Sequence, residues 1–241
     1  MELISVVIPV YNEERRIADT AARVCAFFEG RGEAYELVFV NDGSADGTAA
    51  AIAALGRAEV RDAGYAENRG KGYALRRGAE AAAGEVLLVM DADLAYGLEP
   101  VPEALALIGE YDLVIGSRPM AREAYANYPL VRRITSGGFR AVVRALIGVP
   151  YSDTQCGFKC WRAAAAKAVF PRCGIDGFAI DLEALAWVEK LGFSVREIPA
   201  VVVEHGDSKV HVVRDSVRMF RDALRVRRAV REGGPDGKAR V

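Results

Sequence analysis

Short apolar segments alternate with stretches of helical periodicity along most of the chain. The apolar segments are nearly continuous, which is typical of strands buried on both faces of a parallel sheet. The predicted strands cover residues 4–10, 35–41, 85–91, 112–117 and 195–203. The predicted helices between them cover residues 13–29, 48–55, 71–83 and 102–108. This alternation predicts an α/β fold, with a mostly parallel central sheet and helices on both faces.

Polar clusters follow four of the five predicted strands. In chain order they read YNEE, NDGS, DAD and GSR. Ligands of open α/β sheets bind beyond the carboxyl ends of the strands, so we expect these clusters to form one site.

The composition narrows the class of protein. The 241 residues are 51% hydrophobic and 27% charged, as expected for one globular domain. The net charge of -1 gives no overall attraction to nucleic acid, and we predict no nucleic-acid partner. No run of about 18 apolar residues could cross a bilayer as a helix. The four cysteines form no CxxC pair and there are two histidines, which argues against a structural zinc site.

Two aspartates flank one alanine directly after the third predicted strand. Residues i and i+2 of an extended chain point the same way, so Asp91 and Asp93 can face one cation. Such a pair suits Mg2+ or Mn2+, hard ions that take one or two carboxylates and complete their shell with substrate phosphates. A solvated turn or a helix N-cap is the alternative interpretation of this motif.

Two further motifs lie at predicted helix starts. In VNDGSADGT, Asp42 can accept hydrogen bonds from a nucleotide base or ribose, whereas Ser44 or Asp46 can cap the following helix. In ENRGKGYALRRG, two glycines bracket Lys71, where backbone N–H groups, the helix dipole and the ammonium favour an anion. Neither motif has the spacing of a Walker loop or of GxGxxG.

Together, PVYNEE (9–14), VNDGS (40–44), NRGKGYAL (68–75) and DADL (91–94) resemble the nucleotide-binding half of inverting family 2 glycosyltransferases. The resemblance implies the GT-A fold, a Rossmann-like nucleotide-binding fold. It also implies that Asp91 and Asp93 hold Mg2+ or Mn2+ on the donor diphosphate, with Asp93 counted as catalytic. The residues implied to bind the nucleotide-sugar are Pro9, Tyr11, Glu13, Val40, Asp42, Lys71, Asp91, Ala92 and Asp93.

The second half of the chain resembles one branch of this family, the dolichyl-phosphate mannose and glucose synthases and their bacterial polyprenyl-phosphate relatives. The motifs that carry this resemblance are GSR (116–118), VRRITSGG (131–138), DTQCGFK (153–159) and GDSKV (206–210). The resemblance implies a set of side chains that bind the acceptor phosphate: Arg118, Arg132, Ser136 and Gln155. It further implies that Lys209 is catalytic and contacts the donor diphosphate. Asp153 is the candidate general base, with a turn-forming aspartate as the alternative.

The sequence departs from this branch at two positions. Mannose synthases often have a glutamine two residues after the second metal-binding aspartate, where this chain has Ala95. One protein ligand fewer leaves room for water and leaves the choice of metal open. Mannose synthases also tend to have an arginine shortly before the serine–lysine pair, where this chain has His205 nearby.

The resemblance implies transfer of glucose or mannose, with inversion, from a UDP- or GDP-sugar to a polyprenyl phosphate. A phosphate acceptor is already anionic and does not require a strong base. The alternative within the family is transfer to a soluble or polysaccharide hydroxyl. A nucleotide-sugar-binding protein without catalysis is a second alternative, which the intact Asp91, Asp93 and Lys209 argue against.

The C-terminal stretch at residues 209–231 has eight Lys/Arg against two Asp, with apolar residues at helical spacing. The apolar positions are Val213, Val217, Phe220 and Leu224. This pattern is typical of a basic amphipathic helix that lies on an anionic membrane. Packing on the domain, or docking to a membrane-embedded subunit, are the alternatives. We therefore expect a domain at 1–208, a helix at 209–231 and a disordered tail at 232–241, in a protein peripheral on the cytoplasmic face of a membrane.

The cysteines of SDTQCGFKCW (152–161) are interpreted as incidental to an acceptor-site loop. Cys156 is expected to be a small buried residue, and Cys160 to begin the helix that follows.

Overall fold

The computed structural model describes residues 2–121, 143–203 and 212–233. In these residues seven strands form one sheet. The strands are β1 (Ile4–Val10), β2 (Tyr35–Asn41), β3 (Val60–Asp62), β4 (Val86–Val89), β5 (Leu113–Ser117), β6 (Lys159–Arg162) and β7 (Val195–Pro199). Their order in the sheet is β3-β2-β1-β4-β6-β5-β7.

Helices connect the strands and cover the sheet. They are α1 (Ile17–Arg31), α2 (Thr48–Ala54), α3 (Lys71–Ala81), α4 (Val101–Leu107), α5 (Ala163–Val169), α6 (Ile180–Leu191) and α7 (Val212–Glu232). A further helical segment occupies residues 143–147. Helices α1 and α6 each end at a glycine in the left-handed conformation, Gly32 and Gly192, whose N–H groups bond the last carbonyls.

Strand β6 is antiparallel to both of its neighbours, β4 and β5, whereas the other described strand pairs are parallel. Its first residue, Lys159, pairs with Val89 of β4 and with Ile115 of β5. Because β6 runs in the opposite direction, the loop before it lies at the same sheet edge as the carboxyl ends of β4 and β5. The order also reverses between β1 and β4, which is where ligands bind in open α/β sheets.

Two apolar cores cover the two faces of the sheet. Successive residues of a strand point to opposite faces. Val7 accordingly lies in the core formed with α3, α5 and α6, whereas Val6 and Ile8 lie in the core formed with α1, α2 and α4. The predicted α/β class, with helices on both faces, is confirmed.

The structure corrects several predicted boundaries. Strands β1 and β2 have the predicted limits, but β3 and β6 were not predicted, since each is short and carries charged residues. Cys160 lies in β6 and does not begin a helix, which starts at Ala163. The predicted strand at 195–203 ends at Pro199, where the proline cannot continue the hydrogen-bond ladder as a donor.

The described side chains of α7 show that this end of the helix packs on the domain. Ala223 and Val226 are fully buried in the core that includes α6, whereas Leu224 is 43% exposed. The buried face is therefore different from the apolar face predicted through Leu224. No helix in the described part of the chain is both long enough and apolar enough to span a bilayer.

Candidate active site

Asp91 lies just past β4 and accepts an ion pair from the start of α3. Lys71 Nζ is 2.6 Å from Asp91 Oδ1. Burial is the largest single effect and would raise the pKa of Asp91, but the charge and hydrogen bond of Lys71, together with the charges of Lys159 and Arg118, hold this pKa below its ordinary value. Burial would likewise lower the pKa of Lys71, but the charge and hydrogen bond of Asp91, together with the charge of Asp181, keep it above its ordinary value. Lys71 thus pairs with Asp91 in the structure, and its contact with the nucleotide-sugar stays a prediction.

Asp93 is in a different electrostatic environment from Asp91. Burial, and then the negative charge of Asp91, raise the pKa of Asp93 above its ordinary value. Its Oδ1 accepts the N–H of Ala95 at 3.1 Å. The intervening residue, Ala92, is buried, and its carbonyl accepts the hydroxyl of Thr20 in α1 at 2.7 Å. Helix α1 thus fixes the turn that presents both carboxylates.

The two carboxylates fit a divalent cation whose other ligands come from the substrate. Within residues 2–121, 143–203 and 212–233, no donor bonds the Oδ2 atom of Asp91 or of Asp93. The same residues contain no cluster of three or more His, Cys, Asp or Glu side chains able to hold a metal. Two carboxylates with a substrate phosphate match the preference of Mg2+ or Mn2+.

Asp42 follows β2 and is almost fully buried, where it organises the loop before α3. Its carboxylate accepts the hydroxyl of Tyr65 at 2.7 Å, the side-chain amide of Asn68 at 3.0 Å, and the N–H groups of Arg69 and Gly70 at 2.7 and 2.8 Å. These donors occupy the carboxylate that was predicted to bind a nucleotide. The role that the structure shows for Asp42 is to hold the glycine-lysine loop in position, and nucleotide contact stays a prediction.

The turns after β1 and β2 are cross-linked to each other. The N–H of Asn12 donates to Ser44 Oγ at 2.9 Å, and the N–H of Ala45 donates to Asn12 Oδ1 at 2.9 Å. The N-cap of α2 is Gly47, and the preceding Asp46 accepts the N–H of Thr48, the first residue of the helix, at 3.0 Å. Together these hydrogen bonds hold the two turns against each other at the carboxyl edge of the sheet.

The remaining residues predicted to bind the nucleotide differ in exposure. Tyr11 is 48% exposed, and Pro9 and Glu13 are half-buried at the same edge. Val40 is fully buried, and its Cγ2 would be 3.1 Å from a Cβ at Gly78 of α3. Helix α3 therefore covers the Val40 side chain, and a contact between Val40 and the nucleotide stays a prediction.

The acceptor side is built around an ion pair between Arg118 and Asp153. Arg118 Nε and Nη2 donate to the two carboxylate oxygens at 2.6 and 2.8 Å, and the Arg118 N–H donates at 3.2 Å. Burial alone would raise the pKa of Asp153, but the Arg118 hydrogen bonds and charge hold it below its ordinary value. A carboxylate with a lowered pKa is a weaker base, so this geometry argues against Asp153 as general base. Gln155 lies beside the pair, and its N–H donates to Asp153 Oδ1 at 3.2 Å.

The loop between Asp153 and β6 joins the acceptor side to the aspartates. A Cβ on Gly157 would clash with Asp91 Oδ2, so this glycine lies directly against the carboxylate. Burial raises the pKa values of Cys156 and Cys160 to about 12, which makes both thiols unreactive, as the interpretation of these cysteines required.

Two buried residues of this region were missed in the sequence. Lys159 and Asp181 form an ion pair of 2.6 Å and are 2% and 6% exposed. The available signal was a charged residue inside each of two apolar stretches, CGFKCW and FAIDLEALAW. Three other predicted site residues, Arg132, Ser136 and Lys209, lie outside the described residues, as does His205.

Comparison with known proteins identifies the family to which this site belongs. The sequence profile of glycosyl transferase family 2 matches residues 5–170. Glycosyltransferase AglD of Haloferax volcanii is 33% identical over 92% of this chain and 36% of its own length. A protein of Trichomonas vaginalis named dolichyl-phosphate beta-glucosyltransferase ALG5C is 31% identical over 86% of this chain and 65% of its own length. The chain thus spans about a third of one curated relative and just under two thirds of the other.

Among solved structures, glucosyl-3-phosphoglycerate synthase from Mycobacterium tuberculosis, in complex with Mn2+, UDP and phosphoglyceric acid, superposes with a TM-score of 0.70. The match covers 98% of this chain and 80% of that one at 21% identity, and it confirms the GT-A fold. The family profile covers the aspartate pair, the glycine-lysine loop and the Arg118–Asp153 pair alike. Both the fold and the motifs at the strand ends thus lead to one assignment: the chain belongs to glycosyl transferase family 2.

Proposed function

We propose that the protein transfers a hexose, with inversion, from a nucleotide-diphosphate sugar to a polyprenyl phosphate. One observation carries this proposal. Gly157 packs directly on Asp91, so the loop that begins with the Arg118–Asp153 pair contacts the carboxylate pair of the donor side. A phosphate held by the first element would lie next to a sugar diphosphate held by the second.

The donor side would hold a divalent cation between Asp91 and Asp93. The cation, when bound, supplies Lewis acidity that neutralises charge on the leaving diphosphate. Lys71 holds Asp91 ionised and in place, through the ion pair of 2.6 Å. The charge of Arg16 acts on Asp93 but does not offset burial and the charge of Asp91, so Asp93 contributes a negative charge that favours a cation. Lys209, which lies outside those residues, stays a predicted contact to the diphosphate.

The acceptor side would bind the phosphate through Arg118. Asp153 uses the Nε and Nη2 edge of the guanidinium, which leaves the Nη1 and Nη2 edge with its own pair of donors. A phosphate monoester pairs well with such a planar fork. Arg132 and Ser136 remain proposed partners of the same phosphate. The acceptor oxygen is already anionic, so the reaction needs no separate base.

The relatives favour one donor and leave a second acceptor class open. The name dolichyl-phosphate beta-glucosyltransferase, carried by the relative at 31% identity, supports glucose and a lipid phosphate. The solved structure bound to phosphoglyceric acid instead favours a small soluble acceptor. Both acceptors are phosphate monoesters, so Arg118 suits either of them. We favour the lipid because the sequence relatives are more similar to this chain than the solved structure is.

A lipid acceptor requires the protein to reach a membrane surface. We propose that α7, expected from the sequence to form a separate element at 209–231, faces the membrane while its opposite side packs on α6. Arg227 and Arg231 line a cavity of about 300 Å3 together with residues 145–148. These two guanidinium groups have no ion pair to a described residue and could attract anionic lipid headgroups. A membrane-embedded partner subunit is the alternative.

The test is a transfer assay with purified protein. Radiolabelled UDP-glucose or GDP-mannose is incubated with Mn2+ or Mg2+ and a polyprenyl phosphate in detergent, and the organic phase is counted. We expect a labelled lipid product. No such product should form when EDTA is added, or when the polyprenyl alcohol replaces the polyprenyl phosphate. Phosphoglycerate in place of the lipid serves as the soluble acceptor. Absence of lipid product with every donor would refute the lipid proposal, and product from phosphoglycerate alone would establish the second candidate.

A further inference from the structure

A buried ion pair lies beneath the loop that connects the acceptor side to the aspartates. Lys159, the first residue of β6, and Asp181, in the first turn of α6, are separated by 2.6 Å between Nζ and Oδ1. Both are almost fully buried, at 2% and 6% exposure. Neither lies on the surface where a substrate would bind, so their role has to act through other residues.

The contacts of Lys159 lead from the pair to Asp91. Besides Asp181, Lys159 Nζ donates to the backbone carbonyl of Cys156. The next residue, Gly157, is the one whose Cα lies against Asp91 Oδ2. The other carboxylate oxygen of Asp91, Oδ1, is bound by Lys71 Nζ at 2.6 Å. One carboxylate oxygen of Asp91 thus contacts an ammonium, and the other lies next to a glycine.

The charges of the two ion pairs also act on one another. The positive charge of Lys159 contributes to lowering the pKa of Asp91, and Asp181 contributes to raising that of Lys71. The four groups therefore alternate in sign across β4, β6 and the starts of α3 and α6. Such an arrangement resists rotation of the Asp91 side chain, because a turn away from Lys71 would separate opposite charges that are only 17% and 33% exposed in Lys71 and Asp91.

Stability alone does not account for a buried pair at this place. Replacing a buried ion pair by well-packed apolar residues is often neutral or stabilising. The residues that pair with Lys159 in the neighbouring strands, Val89 and Ile115, are buried and apolar and lie in the core formed with α6. An apolar side chain at 159 would suit this environment, but it could not donate to the Cys156 carbonyl.

We propose that Lys159 and Asp181 are a positioning pair, which fixes Gly157 against Asp91 and thereby sets the geometry of the metal-binding carboxylate. This inference rests on the proposed function, in which Asp91 and Asp93 hold the divalent cation. Asp181 orients the ammonium, Lys159 fixes the loop carbonyl, and Gly157 limits where the carboxylate can lie.

The test separates positioning from folding by a double variant. Lys159→Met or Asp181→Leu alone leaves one buried charge unpaired, and we expect a loss of about 10 °C in Tm. Lys159→Met/Asp181→Leu removes both charges, and we expect its Tm to return to within about 3 °C of the wild type. The Kd for Mn2+ in the presence of UDP, measured by titration calorimetry, should nevertheless rise about 10- to 100-fold, as for loss of other groups that orient metal ligands.

Two further variants make the result independent of folding problems. Gly157→Ala introduces a methyl group that clashes with Asp91 Oδ2, and we expect the same weakening of Mn2+ binding with a small change in Tm. The control is Glu36→Leu/Arg61→Met, which removes a pair at the opposite end of the sheet and should leave the Mn2+ Kd unchanged.

Each outcome decides the proposal. Wild-type Mn2+ affinity in the folded double variant would overturn it, whatever Gly157→Ala shows, because Gly157→Ala tests only the contact with Asp91. If the double variant does not fold, the two single variants are titrated below their Tm, and wild-type Mn2+ affinity in both would overturn the proposal. Weakened binding in Gly157→Ala and in the folded double variant, but not in the control, would support it. If the wild-type protein itself binds no Mn2+ in the presence of UDP, the proposed metal site is refuted. If the wild type binds Mn2+ and the variants bind it equally well, only the positioning pair is refuted.

Discussion

Replacing Asp153 by asparagine should leave the Arg118 guanidinium in a buried site without its counter-charge. The wild-type carboxylate accepts three donors from Arg118, at 2.6, 2.8 and 3.2 Å, and is 6% exposed. Asparagine keeps one oxygen, but its amide would bring N–H groups toward guanidinium N–H groups. Breaking a buried pair by removing one partner costs about 3–5 kcal/mol. Because the Arg118 side chain is 25% exposed, we take the lower end, about 3 kcal/mol, or about 6–12 °C in Tm.

The kinetics of this variant separate a base from a positioning residue. A general base contributes about 10²- to 10⁴-fold to the rate and appears as a limb of the pH profile. A partner of Arg118 would instead change the acceptor KM. We expect Asp153→Asn to raise the acceptor KM at least about 10-fold, as loss of one charge-assisted contact would. The shape of the kcat profile against pH should be unchanged. The matched control is Arg118→Lys, which keeps the charge, loses the bidentate geometry and should raise the same KM.

The lowered pKa of Asp153 also predicts an acid-dependent difference in stability. A carboxylate with a lowered pKa in the folded state stabilises the fold above its unfolded pKa of about 3.9, and this contribution is lost as the pH falls through the folded value. The difference in unfolding free energy between wild type and Asp153→Asn should therefore be constant near neutral pH and shrink below about pH 4. Loss of kcat by about 10³ or more, with unchanged Tm and acceptor KM, would refute the positioning role and restore Asp153 as the base.

Three further predictions concern the donor side and the membrane face. Asp93→Asn removes a carboxylate whose pKa is raised by burial and by a like charge, so it should stabilise the metal-free protein by about 0.5–2 kcal/mol in urea unfolding while abolishing Mn2+ binding; lower stability would contradict this. Asp42→Asn removes the charge that the loop before α3 bonds, and we expect a loss of about 2–3 kcal/mol and a higher UDP-sugar KM, whereas unchanged values would mean that the loop needs no anchor. Arg227→Glu/Arg231→Glu should reduce flotation with anionic but not neutral vesicles at unchanged Tm; equal flotation would remove α7 as the membrane face.

The fold followed from the sequence wherever an apolar run was long and uninterrupted. Strands β1 and β2 have the predicted limits because each is seven residues of nearly continuous apolar chain. Strand β6 has the sequence KCWR, and its lysine and arginine leave too short an apolar run to predict a strand. Its lysine is buried by pairing with Asp181, a residue 22 positions away, and no local pattern reports such a partner. The sequence therefore predicts the parallel strands β1, β2, β4, β5 and β7, and misses the short parallel strand β3 and the antiparallel strand β6.

The same limit applies to the site. Its position was predictable, because the strand-end rule depends only on the order of strands and polar clusters. The assignment of individual roles was not, because it depends on which donors meet which carboxylate. Asp42 and Asp153 both looked free to bind ligands in the sequence. In the structure one is occupied by the loop before α3 and the other by Arg118.

The antiparallel strand that the sequence did not reveal also explains the charge balance of the site. It brings Lys159 and the acceptor loop to the sheet edge where β4 ends, so that three ion pairs gather there: Lys71–Asp91, Lys159–Asp181 and Arg118–Asp153. Each ion pair is neutral. Of the seven charged groups, the six in these pairs and Asp93, only Asp93 is outside an ion pair. A divalent cation at Asp93 would give the site a net charge of about +1. The negative charge of the donor diphosphate would then remove this excess positive charge. We therefore expect the metal to bind more tightly in the presence of the nucleotide than alone. Without the nucleotide, the bound metal would give the site a net positive charge beside the buried ion pairs.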